Sequence, residues 1–583
     1  MERICKKSLC SVATFLLMIL LSIVSNKTFP EVPEPADTTT FPSHAIPRYG
    51  DTISQFNQFG SFGLFLNGIQ ASIRLPASNL MTNYSYRNFN GYRPHNNEFN
   101  HAFNLLFKTA PSGNTTLQIT GQYISGILKN PGSLTKKEFD SLPYGAAPRS
   151  VNRDEKRITH KGQVEITYDV NFGKSLNQQF EISGNGSIEY FERVTKEFKI
   201  TTRYIMGLSA RYYNNSRFWN RNSEFSAGGD LLHQPERKEE YENFGGQRSD
   251  NLEQIEVEKT SIATCFISEN FEIVKTKLFV LLTGRYKHVI YSVAEETVPS
   301  RSDTKPYHAF SPEIALNYQV IPPITLGVSW EMNFKNPTDK ELESPVPAFL
   351  YNQDLKPQTS TTLKAWITGT FAKKKPALFF NTLQFKALFF RTNMDNEIVQ
   401  YEVYGDYYYR NASKTNRFGV SLSGELEIYQ DLTFAMAYTF SHFLYNSYIA
   451  KYLDDSTSLP VSNDYSGNME PNVARNTLNL SLAYQRAIGK KTGIFAKISY
   501  LNSSGVWVDD ANSGKTDAYN LINTMLGFDI KFGHFICKVA GGVYNIFNQV
   551  YVENLNINSA DYRFYNARSP RNFSLSVNFG YIF

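Results

Sequence analysis

Three short stretches combine residue types suited to holding a ligand. Arg93 and His95 stand two residues apart in Gly91-Tyr92-Arg93-Pro94-His95-Asn96. Tyr407, Tyr408 and Tyr409 run directly into Arg410, and Trp507 shortly precedes Asp509 and Asp510. Aromatic rings beside a cation hold flat or anionic ligands by stacking and charge. The same rings also serve simply to pack loops, and that reading stays open for each. His95 suits a hydrogen-bonding role better than a metal-ligand role. The run Glu236-Arg237-Lys238-Glu239-Glu240 reads as a solvated loop.

Catalytic patterns are missing. The chain holds no H-E-x-x-H, C-x-x-C or G-x-S-x-G. Gly184-Asn185-Gly186 falls inside an alternating stretch rather than ahead of a helix, so it is no phosphate loop. Asp509 and Asp510 are adjacent, and on a strand adjacent residues point to opposite faces. The expectation is a non-enzyme without cofactor or metal. The four cysteines, Cys5, Cys10, Cys265 and Cys537, form no disulfide framework or metal-ligand spacing.

The elements that position these residues are strands. Phe573, Leu575, Val577, Phe579, Tyr581 and Phe583 alternate with small or polar residues, and so do Val164 to Phe172 and Ile324 to Phe334. Soluble sandwiches alternate too, so three further features decide. Many of these stretches exceed the usual five or six residues. They suit the roughly 9–11 residues that a tilted strand needs to cross hydrocarbon. Aromatics gather near their ends, as at Tyr84, Tyr86, Tyr204 and Tyr212.

The count is about 22 strands between residues 53 and 583. Tight connections (110–113, 174–177, 272–274, 373–377, 488–490) alternate with long ones (126–159, 233–254, 292–308, 335–358, 397–415, 447–473, 503–518, 548–568). Transmembrane barrels sort their connections this way, with long loops outside and short turns in the periplasm. The fold class is therefore all-β, a closed transmembrane antiparallel barrel. An open sheet is excluded in hydrocarbon, where every backbone polar group must pair internally.

Composition agrees. The 583 residues include 44 Phe and 36 Tyr, far too many aromatics for a disordered chain. The net charge of +5 implies no nucleic-acid partner. Mean hydropathy of −0.36 excludes a bundle of apolar helices. Residues 1–25 read as a secretory signal peptide, with Arg3, Lys6 and Lys7 ahead of an apolar run from Ser11 to Val24. Residues 26–52 are polar and rich in Pro and Thr, which suits a loose segment. The barrel occupies 53–583.

With these residues in view, the chain resembles the TonB-dependent outer-membrane receptors of iron-chelate type. The penultimate strand runs into Asn545-Ile546-Phe547-Asn548 and then Tyr551, and the last opens at Pro570-Arg571 and closes on Phe583. Ser311-Pro312, Asn336-Pro337-Thr338 with Glu341-Leu342, and Leu355-Lys356-Pro357 are similar to other family segments, as are residues 91–96 and Pro131 to Thr135. The resemblance implies uptake of a ferric chelate or other large scarce nutrient. Arg93, His95, Tyr407, Tyr408, Arg410 and Trp507 become ligand-binding candidates, and Phe583 an assembly signal. Implied partners are outer-membrane lipid, the barrel-assembly machinery, a small chelate and the TonB complex, with the bacterial outer membrane as the location.

The family carries a plug ahead of its barrel. Only residues 26–52 separate signal from first strand, so the expectation is a barrel without its plug. That leaves two alternatives to energised uptake: a passive pore or truncated remnant, and a surface-binding protein acting through its loops.

Overall fold

The computed structural model describes residues 51–298, 301–346, 349–372, 380–403, 406–429, 431–453, 460–553, 555–559 and 561–583. The expected signal peptide, nearly all of the 26–52 segment and the tight connection 373–377 lie outside the described residues. Twenty-two strands form one antiparallel sheet in chain order. The first, Thr52–Gly60, pairs along its length with the last, Asn572–Ile582, and that pairing closes the sheet into a barrel. Closure leaves no edge strand, which is the condition for a β-structure in hydrocarbon.

The alternation sets the two faces of the wall. Leu326, Val328 and Trp330 are exposed on the outside of Ile324–Lys335, whereas Ser329 between them is buried within. Leu282 and Tyr286 are exposed outside Leu278–Glu295, whereas Val289, Tyr291 and Val293 are buried on its inner face. Register is fixed by this outer apolar row, because a slip by one residue would turn it inward. Close approaches lock it further. The Trp366 indole lies over Gly327 on the neighbouring strand, and a Cβ there would stand 2.0 Å from the ring.

Aromatic and imidazole rings mark the level at which the outer row turns polar. Tyr84 and His101 stack with centroids 6.0 Å apart and share a 2.7 Å hydrogen bond. His160 with Tyr190, and His442 with Phe418, are tilted ring pairs with centroids 6.0 and 4.9 Å apart. Rings with an apolar body and a polar edge suit such a boundary.

The connections sort as the alternation requires. One barrel end carries tight turns such as 76–77, 113–114, 219–220 and 533–534. The other carries 130–155, 336–357, 448–475, 504–518 and 545–571. Three expected long connections are corrected. Residues 292–308 narrow to 296–301, between the strands Leu278–Glu295 and Ser302–Ile321. Residues 233–254 belong to the strands Arg221–Phe244 and Gln247–Val274, joined at Gly245 and Gly246. Residues 397–415 belong almost wholly to Thr382–Val403 and Asp406–Tyr429. Glu236 to Glu240 is therefore strand rather than loop. Its charges alternate between the faces, so Glu236, Lys238 and Glu240 point inward into ion pairs that a lone loop would lack. Pro235 is tolerated there because the ladder with Glu197–Phe218 skips Gln234 and Pro235.

Candidate functional site

The loops at the open end fold over one another. Leu342, Tyr351 and Leu355 of 336–357 pack on Val289, Tyr291 and Val293, the inner face of a wall strand, so this loop enters the lumen. A turn of helix, Asp339–Leu342, starts at a capping box made by Thr338 and Glu341. It places Asp339 and Lys340 against the wall.

Beside it is a cleft of about 540 Å³ whose walls include Arg157, Arg193, Lys199, Lys238, Lys340, Phe349, Tyr407 and Tyr408. Most of its charges are paired. Lys199 meets Glu240 at 2.6 Å and Glu197 at 3.0 Å. Lys238 meets Glu258 at 2.7 Å and Glu343 at 3.3 Å. Arg203 meets Glu236 at 2.5 Å. Arg193 and Lys340 differ, for neither has an ion-pair partner among the described residues. The Lys340 ammonium stands 5.9 Å from the centre of the Tyr407 ring. Enclosure by protein lowers the Lys340 pKa from its ordinary value, and the Arg193 charge lowers it further. Asp339 and Glu343 offset part of the Lys340 charge without ion-pairing to it, and two such cations beside tyrosine rings can receive an anion with a flat or phenolic surface.

Glu236, Glu258 and Asp339 bring three carboxylate oxygens within 4.8 Å of one another. Arg203 and Lys238 neutralise two of these groups, so the trio reads as part of the ion-pair ladder.

The other sequence candidates fall elsewhere. Arg93 is buried, and burial lowers its pKa. Its Nε donates to the Gly145 carbonyl at 2.9 Å, and its terminal nitrogens donate to Gly132 and Asn566 at 2.6 and 3.2 Å. It ties three loops together. His95 has φ of +60°, and its Nε2 lies 3.0 Å from the Glu155 carbonyl. Arg410 donates to the Tyr448 hydroxyl at 2.6 Å and stands over the Tyr401 ring at 4.7 Å. Trp507 bridges to Lys515, whose ammonium is 5.2 Å from its ring. Phe583 ends the chain at the opposite end of the barrel, edge-on to Tyr581 at 5.1 Å. Cys265 and Cys537 are both free thiols. Of the six ligand candidates, only Tyr407 and Tyr408 line the cleft.

Asp510 is the centre of a second network. Tyr445 and Tyr448 donate to its two oxygens at 2.8 and 3.0 Å, and Asn468 and Asn558 fasten its backbone. Burial pushes its carboxyl up from its ordinary value. Asp509 instead turns outward to cap Ser513. Arg417 lies between Glu397 and Glu470, donating to Glu470 at 2.9 Å. Three carboxylates share two arginines here, and burial together with Glu397 pushes Glu470 up to about 7. This network ties Tyr448 and Asn468, the 504–518 loop through Asp510, and Asn558 to one another and to the wall.

A closed 22-stranded antiparallel barrel, with tight turns at one end and interlocked loops dipping into the lumen at the other, defines the class of outer-membrane receptor barrels. The comparisons give the family. The description "TonB dependent receptor-like, beta-barrel" matches residues 47–546, and the chain belongs to that family. Similar solved structures include the ferric citrate transporter FecA (14% identity, TM-score 0.74, covering 91% of this chain and 79% of that one). Another is the siderophore receptor PiuA from Acinetobacter baumannii (13%, 0.73, 91% and 82%). A third is the ferric yersiniabactin uptake receptor FyuA from Yersinia pestis (10%, 0.71, 91% and 80%). At these identities the likeness is one of fold.

Proposed function

We propose that this barrel sits in the bacterial outer membrane and takes up an anionic ferric chelate, driven by the TonB complex. It acts as a receptor and transporter rather than an enzyme. The carrying observation is the pair Arg193 and Lys340, cations without ion-pair partners among the described residues, beside Tyr407 and Tyr408 in a cleft under the loops. An anionic chelate entering there would meet charge and aromatic surface together. Arg93, His95, Arg410 and Trp507 then act at one remove, by holding neighbouring loops in place. The family membership and the siderophore and citrate receptors among its structural neighbours support the substrate class.

Energised transport requires that the lumen be occluded at rest and opened by TonB. A plug acting within the same chain or supplied in trans would do this, whereas a bare barrel of this width would conduct. Uptake of radiolabelled iron by iron-starved cells, offered as citrate, catecholate or neutral hydroxamate complexes, tests the reading. Saturable, TonB-dependent uptake of one of the two anionic complexes supports it. A large constant conductance of the purified protein in planar bilayers, with TonB-independent uptake, replaces it with a passive pore.

A further inference from the structure

His288 and His308 face each other on adjacent antiparallel strands, Leu278–Glu295 and Ser302–Ile321, in direct register. Both project from the outer face, in line with the outward residues Leu282, Tyr286, Phe310 and Leu316. Their rings are nearly parallel, 12° apart, with centroids separated by 5.6 Å. The two Nδ1 atoms lie 3.5 Å apart. That gap is long for an N–H···N hydrogen bond. It suits two nitrogens sharing an ion. With metal–nitrogen bonds of about 2.0–2.1 Å, a 3.5 Å separation subtends roughly 113–122°, somewhat wider than the tetrahedral angle.

We infer that His288 and His308 form a divalent transition-metal site on the outside of the barrel, with Zn²⁺, Cu²⁺ or Ni²⁺ as the fitting ions. Imidazole suits these ions over Ca²⁺ or Mg²⁺, which take oxygen ligands. Each ring binds through its Nδ1 lone pair and keeps its proton on Nε2. Water or an anion fills the remaining positions. No like charge flanks the pair on this face among the described residues: the neighbouring outward residues are Tyr286, Ile290, Pro306 and Phe310, and Ala263 stands opposite His288 on the next strand. Arg285 and Lys287 alternate to the inner face. Other outward histidines are singly placed, His233 beside Ser261, His101 beside Tyr84, His160 beside Ser125 and His442 beside Phe418. The site is independent of the cleft, so its failure would leave the transport reading untouched.

The test is calorimetric titration of the untagged, detergent-folded full chain with Cu²⁺, Ni²⁺ or Zn²⁺. The wild type should bind one ion per chain in the micromolar range. His288→Ala and His308→Ala should each weaken binding more than tenfold, while His233→Ala should not change it. Heat-modifiable migration on gels checks that each variant folds. Copper electron paramagnetic resonance should report two nitrogen ligands in the wild type. Equal affinity across wild type and both variants, or no binding at high micromolar metal, overturns the site.

Discussion

The backbone N–H of Phe583 donates a 2.9 Å hydrogen bond to the carbonyl of Asp51, so the last residue is fastened to the entrance of the first strand. The bond adds one more rung to the seam between Thr52–Gly60 and Asn572–Ile582. Phe583 also presses its ring against Tyr581, at the end of an outward aromatic row. Deleting Phe583, or placing Asp there, should reduce the amount of folded barrel in membranes several-fold. Heat-modifiable migration of membrane fractions measures it, and undiminished folded protein would show that the terminal ring is dispensable.

Val328 is half exposed on the outer row between Leu326 and Trp330. If that row meets acyl chains, Val328→Arg should destabilise the barrel by about 2–4 kcal/mol. Ser329→Arg, one residue on and facing the lumen, should differ sharply in its dependence on the bilayer. Urea-driven unfolding in lipid vesicles gives both numbers. A negligible effect at Val328 would place that face in water.

Arg93 makes three hydrogen bonds from a buried guanidinium to carbonyl or amide oxygens of other loops. Arg93→Ala should loosen 130–155 and 545–571 at a cost of about 3 kcal/mol. Arg93→Lys should rescue little, since an ammonium cannot reach all three acceptors at once. Limited proteolysis on intact cells would show new cleavage within these loops in both variants, with the barrel itself resistant.

Glu470 shares Arg417 with Glu397, and its carboxyl is raised to about 7 by burial and by that neighbour. A carboxyl raised on folding holds its proton more tightly in the folded state. Its stabilising contribution is present below the unfolded pKa of about 4.5 and is lost as pH rises through about 7. The loop cap should therefore resist protease better at pH 5 than at pH 8. Glu470→Gln should flatten that dependence. A profile identical to the wild type would mean that the network's excess proton resides elsewhere.

Most of the architecture was legible in the sequence because hydrocarbon enforces it. The outer rows Ile324 to Phe334 and Phe573 to Phe583 need an apolar residue at every second position, so period and face could be read directly. The misread segments, 233–254, 397–415 and most of 292–308, rise past the apolar rows, where no lipid constrains the outer face and the alternation fades into charge. There the signal was subtler. Glu197, Lys199 and Arg203, like Glu236, Lys238 and Glu240, recur at even spacing, which marks an inner face of paired charges. The site was less legible. Tyr407 and Tyr408 were visible as a cluster, but Arg193 and Lys340 are ordinary in sequence and gain meaning only when 336–357 folds into the lumen. Arg93 and Arg410 looked like ligand contacts because loop-binding cations and ligand-binding cations share one chemistry.

The central claim is that Arg193 and Lys340 receive the anionic cargo. Uptake of radiolabelled ferric chelates by iron-starved cells, comparing the wild type with Arg193→Ala/Lys340→Ala at equal folded barrel in the membrane, tests it most directly. The account predicts a loss of at least tenfold in uptake at limiting concentration of the anionic complex the wild type carries, with neutral hydroxamate uptake unaffected. Undiminished uptake of that anionic complex by the double variant would contradict it.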